Sequence, residues 1–314
     1  MRWLIPPLKH AATAAFHKSG GLHVARWINR KGLRILMYHR FSDRDALEWQ
    51  CAHIRAHYAP VSMAQVADWL SQGTPLPDSA LAVTVDDGYR DFFQVAYPLF
   101  REYGIPATVY LVSDFLDREL WLWVDQVKYA FLHGRAPRPE LATTQARKQA
   151  AYEMTESAKR MSNADRLRLL AGLPAQLEVA LPHEAPPEYE PLRWEEVREM
   201  AAAGFEFGAH TRTHPVLSRL AGVQDLSDEI AGSKRQIERQ ADRPVDHFCY
   251  PNGSNEDFGP DAVEAVRVAG FRTAVTTESG LNYPGVSPFQ LLRVGVEPGL
   301  DRDYFARRAA GFRV

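Results

Sequence analysis

The sequence predicts an α/β protein built on a parallel sheet, and three observations carry that expectation. Short, almost wholly apolar runs alternate with amphipathic helical stretches, as in a sheet covered on both faces. Polar clusters follow two of those runs directly, where open α/β sheets and barrels gather their ligands. A long middle stretch, about 115–190, has helical periodicity and no strand, so it reads as a helical insertion. The 314 residues suffice for one large barrel or two ordinary domains.

In order, Leu33–His39 reads as a buried strand ending in a polar residue. Ser62–Leu70 has helical spacing with Ser62 as its cap. Ala80–Val85 is a second strand, Tyr89–Tyr103 an amphipathic helix stopped by Gly104, and Pro106–Val112 a third strand. Within the insertion, Leu120–Leu132 and Arg147–Leu170 are helical, and His183–Pro191 is a proline-rich, acidic connection. Alternation resumes with a helix from Trp194 to Ala203 and a strand through Phe205–Ala209. A helix over Asp225–Gln240, a strand over Val245–Tyr250, a helix over Pro260–Ala269 and a strand over Arg272–Thr276 complete it.

Net charge is −2, so no electrostatic footprint for nucleic acid exists. The charge is uneven, however. Residues 1–34 hold seven lysines and arginines and no acid, interleaved with Trp3, Leu4, Ile5, Phe16, Trp27 and Ile28. A basic, aromatic helical arm over residues 1–32 suits an anionic membrane surface, although a packed or solvated helix has the same composition. Lys9, His10, His17 and Lys18 interrupt any apolar stretch, which argues against a secretory signal and for a cytoplasmic location, with the membrane's inner face left open by the basic arm. The only two cysteines, Cys51 and Cys249, form no disulfide framework and no zinc ribbon.

Two clusters carry chemistry. Val85 leads straight into Asp86, Asp87 and Gly88, an ordinary way to turn a corner and equally a way to set a metal ligand beside a base. After the strand at 205–209 comes His210-Thr211-Arg212-Thr213-His214. Two imidazoles at i and i+4 with one carboxylate make a three-ligand set with an open position, the pattern of catalytic rather than structural zinc, although other divalent metals suit it. Either cluster alone is weak; their shared place after buried strands is what joins them.

These residues resemble the polysaccharide deacetylase family, also called NodB-homology or carbohydrate esterase family four. Thr84-Val85-Asp86-Asp87-Gly88 is similar to the family's Thr-Phe-Asp-Asp-Gly, and His210–His214 matches its His-Ser/Thr-x-x-His in full. Leu36–Arg40 and the run from Trp194 to Gly208 resemble further family segments. The resemblance covers roughly 33–112 and 192–295. It implies a distorted (β/α) barrel of NodB type over 33–314, with the insertion over the active-site face. It implies Asp87, His210 and His214 as ligands of a divalent metal, most simply Zn2+, and Asp86 as the general base. The metal acidifies water and the carboxylate takes its proton.

Two departures matter. Phe248-Cys249-Tyr250-Pro251-Asn252-Gly253 keeps the proline and glycine of the family's third motif but has Cys249 where an arginine orients the base. By the same match, Asn252 and Tyr250 fall at oxyanion or substrate positions. Leu291-Leu292-Arg293 has arginine where the family's general-acid histidine stands, and arginine is a poor proton donor. The expectation is that Arg293 replaces the missing arginine beside Asp86 and that His39 supplies the acid, a buried core histidine being the competing reading of His39. Trp121, Trp123 and Asp125 could wall a sugar site, although aromatic residues at helical spacing point first to core. Trp194 reads as packing, and the charged run 147–168 as a solvated face.

The expected activity is removal of an N-acetyl group from an amino sugar of a surface polysaccharide or its lipid- or nucleotide-linked precursor. Deformylation or O-deacetylation at the same site, or a catalytically silent carbohydrate-binding scaffold, are the competing readings.

Overall fold

In a computed structural model, residues 21–136 and 138–312 are described, so most of the basic arm lies outside the described residues. Eight strands form one sheet: β1 (Arg34–Tyr38), β2 (Ala59–Pro60), β3 (Ala80–Val85), β4 (Ala107–Leu111), β5 (Glu206–Ala209), β6 (His247–Cys249), β7 (Thr273–Ser279) and β8 (Leu291–Gly295). All pairings between them are parallel. β1 pairs with both β3 and β8, which closes a seven-strand barrel, while β2 adds two residues against the start of β3. Every residue of β3 and β4 is buried, as expected for strands covered by helices outside and packed side chains within.

The helices are α1 (Gly21–Ile28), α2 (Arg44–His57), α3 (Met63–Gln72), α4 (Tyr97–Glu102), α5 (Ser113–Leu116), α6 (Trp123–His133), α7 (Thr144–Lys159), α8 (Asn163–Gln176), α9 (Trp194–Ala202), α10 (Val223–Ala241), α11 (Pro260–Val268) and α12 (Arg302–Ala309). Ser62 starts α3 through a capping box with Gln65, and left-handed Gly73 ends it. The barrel seam is held by Arg34, fully buried on β1. Its guanidinium donates to the carbonyls of Ala309, Gly32 and Asn29 and so ties α12 to the turn before β1. Leu22 and Ala25 of α1 pack on Ala306 and Ala310, so residues 21–28 are docked on the barrel rather than forming a free arm.

Several elements differ from the sequence expectation, four of them with consequences for the core. The helix expected over 89–103 opens into a wide π turn at Phe92–Ala96 before α4, because Pro98 in the first turn has no N–H to give. The helix expected over 147–170 is two, broken at residues 160–162, where Ser162 caps α8 by accepting from the Asp165 N–H. The helix α2, capped by Asp43, and the last strand β8 went unexpected.

The segment between β4 and α9 is helical and has its own core of Trp123, Val127, Phe131, Leu173 and Leu177. It returns to the barrel through Arg90, which is ion-paired with Glu190 and Glu196.

Candidate metal and hydrolytic site

The site lies past the C-terminal ends of β1, β3, β5, β6 and β8. Asp86 and Asp87 leave β3 in a tight turn: the Asp86 N–H donates to Tyr38 O, and the Gly88 N–H to Asp86 O. Asp87 sits at φ 75° and Gly88 at φ 84°. A Cβ on Gly88 would meet Leu111 and Leu116 at 3.0 Å, so glycine is required there both for backbone and for space. Left-handed non-glycine residues concentrate here: Asp87, Thr211, His214 and Asn252 are half of the eight among the described residues. Such strain persists where surrounding bonds over-determine the backbone.

Those bonds are explicit in the histidine loop. Glu229 on α10 accepts from the Arg212 N–H, the Thr213 N–H and the Thr213 hydroxyl. The Thr211 hydroxyl oxygen accepts from the His214 N–H at 3.1 Å. Arg212 makes a two-point ion pair with Asp114. The Trp123 indole N–H donates to the His214 carbonyl at 3.0 Å.

The result is convergence. The Nε2 atoms of His210 and His214 each lie 3.5 Å from Asp87 Oδ1, and one ligand atom from each of the three residues fits within 4.8 Å of the others. His210 Nδ1 is 2.7 Å from the Cys249 carbonyl, which holds the proton on that nitrogen and turns Nε2 toward Asp87. Burial would lower His210, but Cys249 and Asp87 raise it well above its usual value, so a metal bound through Nε2 would displace a proton. All three residues are buried. This donor set fits a divalent metal. Burial, and then His210, push His214 down to about 3, the neutral form a ligand needs. A second acidic group, Asp86 with His210 and Cys249, is also compact, but both Asp86 oxygens are taken by Arg293 and burial raises the Cys249 thiol.

Arg293, from β8, meets Asp86 with Nη1 to Oδ1 at 2.6 Å and Nη2 to Oδ2 at 2.7 Å. Its Nη1 also reaches Thr84 Oγ1, and its Nη2 lies 3.2 Å from Cys249 Sγ. The small thiol leaves room for a guanidinium arriving from two strands away. Burial alone would raise Asp86, but Arg293 and then His39 outweigh it and hold the carboxyl below its usual range. His39 Nε2 stands 3.6 Å from Asp86 Oδ2, and its side chain is 45% exposed, so the buried-core reading of His39 does not hold.

With the ligand cluster and the paired carboxylate in place, a comparison of the sequence decides the family. A model described as "Polysaccharide deacetylase" matches residues 73–274. The chain belongs to the polysaccharide deacetylase family. It is a carbohydrate deacetylase on a closed parallel barrel of NodB type. Over 281 residues it is 22% identical to "Putative polysaccharide deacetylase YxkH" of Bacillus subtilis (strain 168), covering 87% of this chain and 74% of the other. A stretch of 73 residues, 23% of this chain and 11% of the other, is 37% identical to a poly-beta-1,6-N-acetyl-D-glucosamine N-deacetylase of Escherichia coli (strain K12). Among solved structures, IcaB from Ammonifex degensii aligns at a TM-score of 0.61 and 20% identity, over 89% of this chain and 96% of that one. At that identity the likeness shows the fold.

Tyr250 is buried: its N–H donates to Val275 O, its ring stacks on Phe258 at 4.0 Å, and its hydroxyl donates to Phe289 O. Trp121 and Trp123 are both buried, in line with the core reading of these aromatics. Asn252, by contrast, sits at φ 61° in the loop after β6. Its carbonyl accepts from the Thr277 hydroxyl, and no acceptor among the described residues pairs with its N–H. Sequence reasoning singled out Asp125 but missed Tyr89 and the 2.5 Å bond between the two, which joins barrel and insertion. Burial pushes the Asp125 carboxyl up to about 6.

Proposed function

We propose that the protein is a metal-dependent amide hydrolase that removes an N-acetyl group from an amino sugar of a surface polysaccharide or its lipid- or nucleotide-linked precursor. The observation that carries this reading is the pairing of a compact Asp87–His210–His214 set with a neighbouring carboxylate, Asp86, locked by Arg293 and faced by His39. The metal, most simply zinc, supplies Lewis acidity to water and to the substrate carbonyl.

The chain's own residues divide the remaining work. Asp86 takes the proton from the attacking water. Arg293 keeps it ionised and aimed, so its modest basicity is matched to an acidified water rather than to a free one. The Asn252 N–H, free of internal acceptors, donates to the developing oxyanion. His39, exposed and on the other side of Asp86, returns a proton to the leaving amine. The local likeness to a poly-beta-1,6-N-acetyl-D-glucosamine N-deacetylase supports an N-acetylated glucosamine unit. Deformylation would use the same residues and differ only in the room left for the acyl methyl.

A contact with the inner face of a membrane, and so a cytoplasmic location, is part of the same proposal. On α1, Val24, Trp27 and Ile28 are exposed on one face, Arg30 stacks on Trp27, and residues 1–20 contribute basic side chains and no acid. No helix among the described residues is long and apolar enough to cross a membrane.

The test is product release. Wild type and Asp86→Asn, both loaded with zinc, are incubated with N-acetyl and N-formyl amino sugars, free and lipid-linked, and acetate and formate are measured. Acetate from wild type and not from a metal-retaining variant is expected. Formate alone would move the reaction to deformylation; metal without any release would favour a binding scaffold.

A further inference from the structure

Besides the Arg90–Glu190 pair, the insertion bonds the ligand loops through the first turn of α6. Trp123 donates its indole N–H to the carbonyl of His214. Two residues on, Asp125 accepts from the Tyr89 hydroxyl at 2.5 Å, and Tyr89 directly follows Asp86-Asp87-Gly88. One helical turn therefore bridges the aspartate loop after β3 and the histidine loop after β5.

His214 has particular need of such a tether. A metal-binding imidazole is usually aimed by a partner on its other ring nitrogen. His210 has that partner in the Cys249 carbonyl, but His214 Nδ1 is buried with no hydrogen-bond partner among the described residues. Its orientation rests on its backbone: a left-handed φ of 56°, the Thr211 hydroxyl on its N–H, and the Trp123 indole on its carbonyl. Trp123 is itself held from above. The guanidinium of Arg166, buried on α8, lies 4.9 Å from its ring and donates to Asn163 Oδ1 at 2.7 Å. Arg40 lies 4.1 Å from the Tyr89 ring in the same way.

We propose that the first turn of α6 is part of the metal-holding apparatus, with Trp123 and Asp125 acting as positioning residues that hold the two ligand loops against each other. The helical insertion would then be needed for metal retention and not only for covering the site. This rests on the metal reading given above.

The experiment follows release of zinc from the loaded, full-length protein into excess chelator, alongside the melting temperature of apo and loaded forms. Trp123→Phe keeps the ring and removes the donor. Asp125→Ala removes the acceptor for Tyr89, and Asp125→Asn keeps one. The expected result is release roughly 10–100-fold faster for Trp123→Phe and Asp125→Ala, near wild-type release for Asp125→Asn, and a smaller rise in melting temperature on loading for the first two. Wild-type release rates in both, or a lower apo melting temperature with the metal-induced rise intact, would reduce the contacts to packing and overturn the inference alone. A wild type that holds no zinc would overturn the metal reading and the inference with it.

Discussion

The guanidinium of Arg293 and the carboxylate of Asp86 meet edge to edge in two parallel hydrogen bonds of 2.6 and 2.7 Å, with side chains 0% and 2% exposed. A charge pair so fully removed from water is held by its geometry, and breaking it exposes the desolvation of whichever partner remains. Arg293→Lys keeps the charge and loses the fork. We expect kcat to fall roughly 10–100-fold with metal content unchanged. Arg293→Met leaves Asp86 buried without a counter-charge and should lower stability by about 3–5 kcal/mol. Adding Asp86→Asn to Arg293→Met should recover most of that loss. A double variant no more stable than Arg293→Met in urea titration would show that the pair is not the source.

His39 lies on the exposed side of the same carboxylate, so its replacement separates chemistry from folding. For His39→Gln we expect kcat to drop by roughly a hundredfold or more while the unfolding free energy stays within about 0.5 kcal/mol of wild type. The loss should be smaller for substrates whose leaving amine needs no proton. Loss of stability with turnover intact would remove His39 from the acid role.

Gly208 precedes the histidine loop on β5. A Cβ there would come within 2.4 Å of the Tyr110 ring and 2.7 Å of the His247 carbonyl, a backbone atom of β6 with little freedom to shift. Gly208→Ala should therefore lower stability by about 3 kcal/mol or more. Gly204→Ala, whose Cβ meets nothing within 4 Å but whose φ is +90°, should carry only the strain of that backbone. Thermal unfolding of the two side by side checks the ranking.

Asp125 makes stability depend on pH in a direction opposite to that of most carboxylates. Burial raises it from 3.8 to about 6 in the folded chain. Its proton is held more tightly folded than unfolded, so its contribution is fully present below 3.8 and is lost as pH rises through about 6. At about 1.4 kcal/mol per unit, the full swing is roughly 3 kcal/mol. Asp125→Asn keeps an acceptor for Tyr89 and does not titrate. Its stability relative to wild type should rise between pH 4 and 7 and level off above; a pH-independent difference would mean that Asp125 stays ionised.

Much of the barrel was legible because strands such as Ala80–Val85 are buried on both faces and carry an unbroken apolar signature. The closeness of Asp87, His210 and His214 was legible for a related reason: each follows such a strand, and strand ends converge in a closed sheet. β8 escaped because its central residue is an arginine, and a fully buried arginine announces itself only through a partner 207 residues away. The role of Trp123 escaped for a stricter reason. Its acceptor is a backbone carbonyl, which every residue has and which leaves no trace in composition or spacing. The break at 160–162 turned on Ser162, a cap easily mistaken for one more polar residue on a charged helical face.

Closure of the sheet by β1 against β8 has a consequence in time. Asp86 belongs to the first third of the chain and Arg293 to its end, 207 residues later. At a translation rate of about 5–20 residues per second, the arginine leaves the ribosome roughly 10–40 s after the carboxylate it neutralises. Throughout that interval β1 can pair with β3, but the carboxylate has no counter-charge with which to be buried. If Asp86 is the base proposed above, the nascent chain stays inert until the last strand docks and the final helix is latched by Arg34. A nascent chain stalled before residue 293 should show protected amides in β3 and β4 and release no acetate.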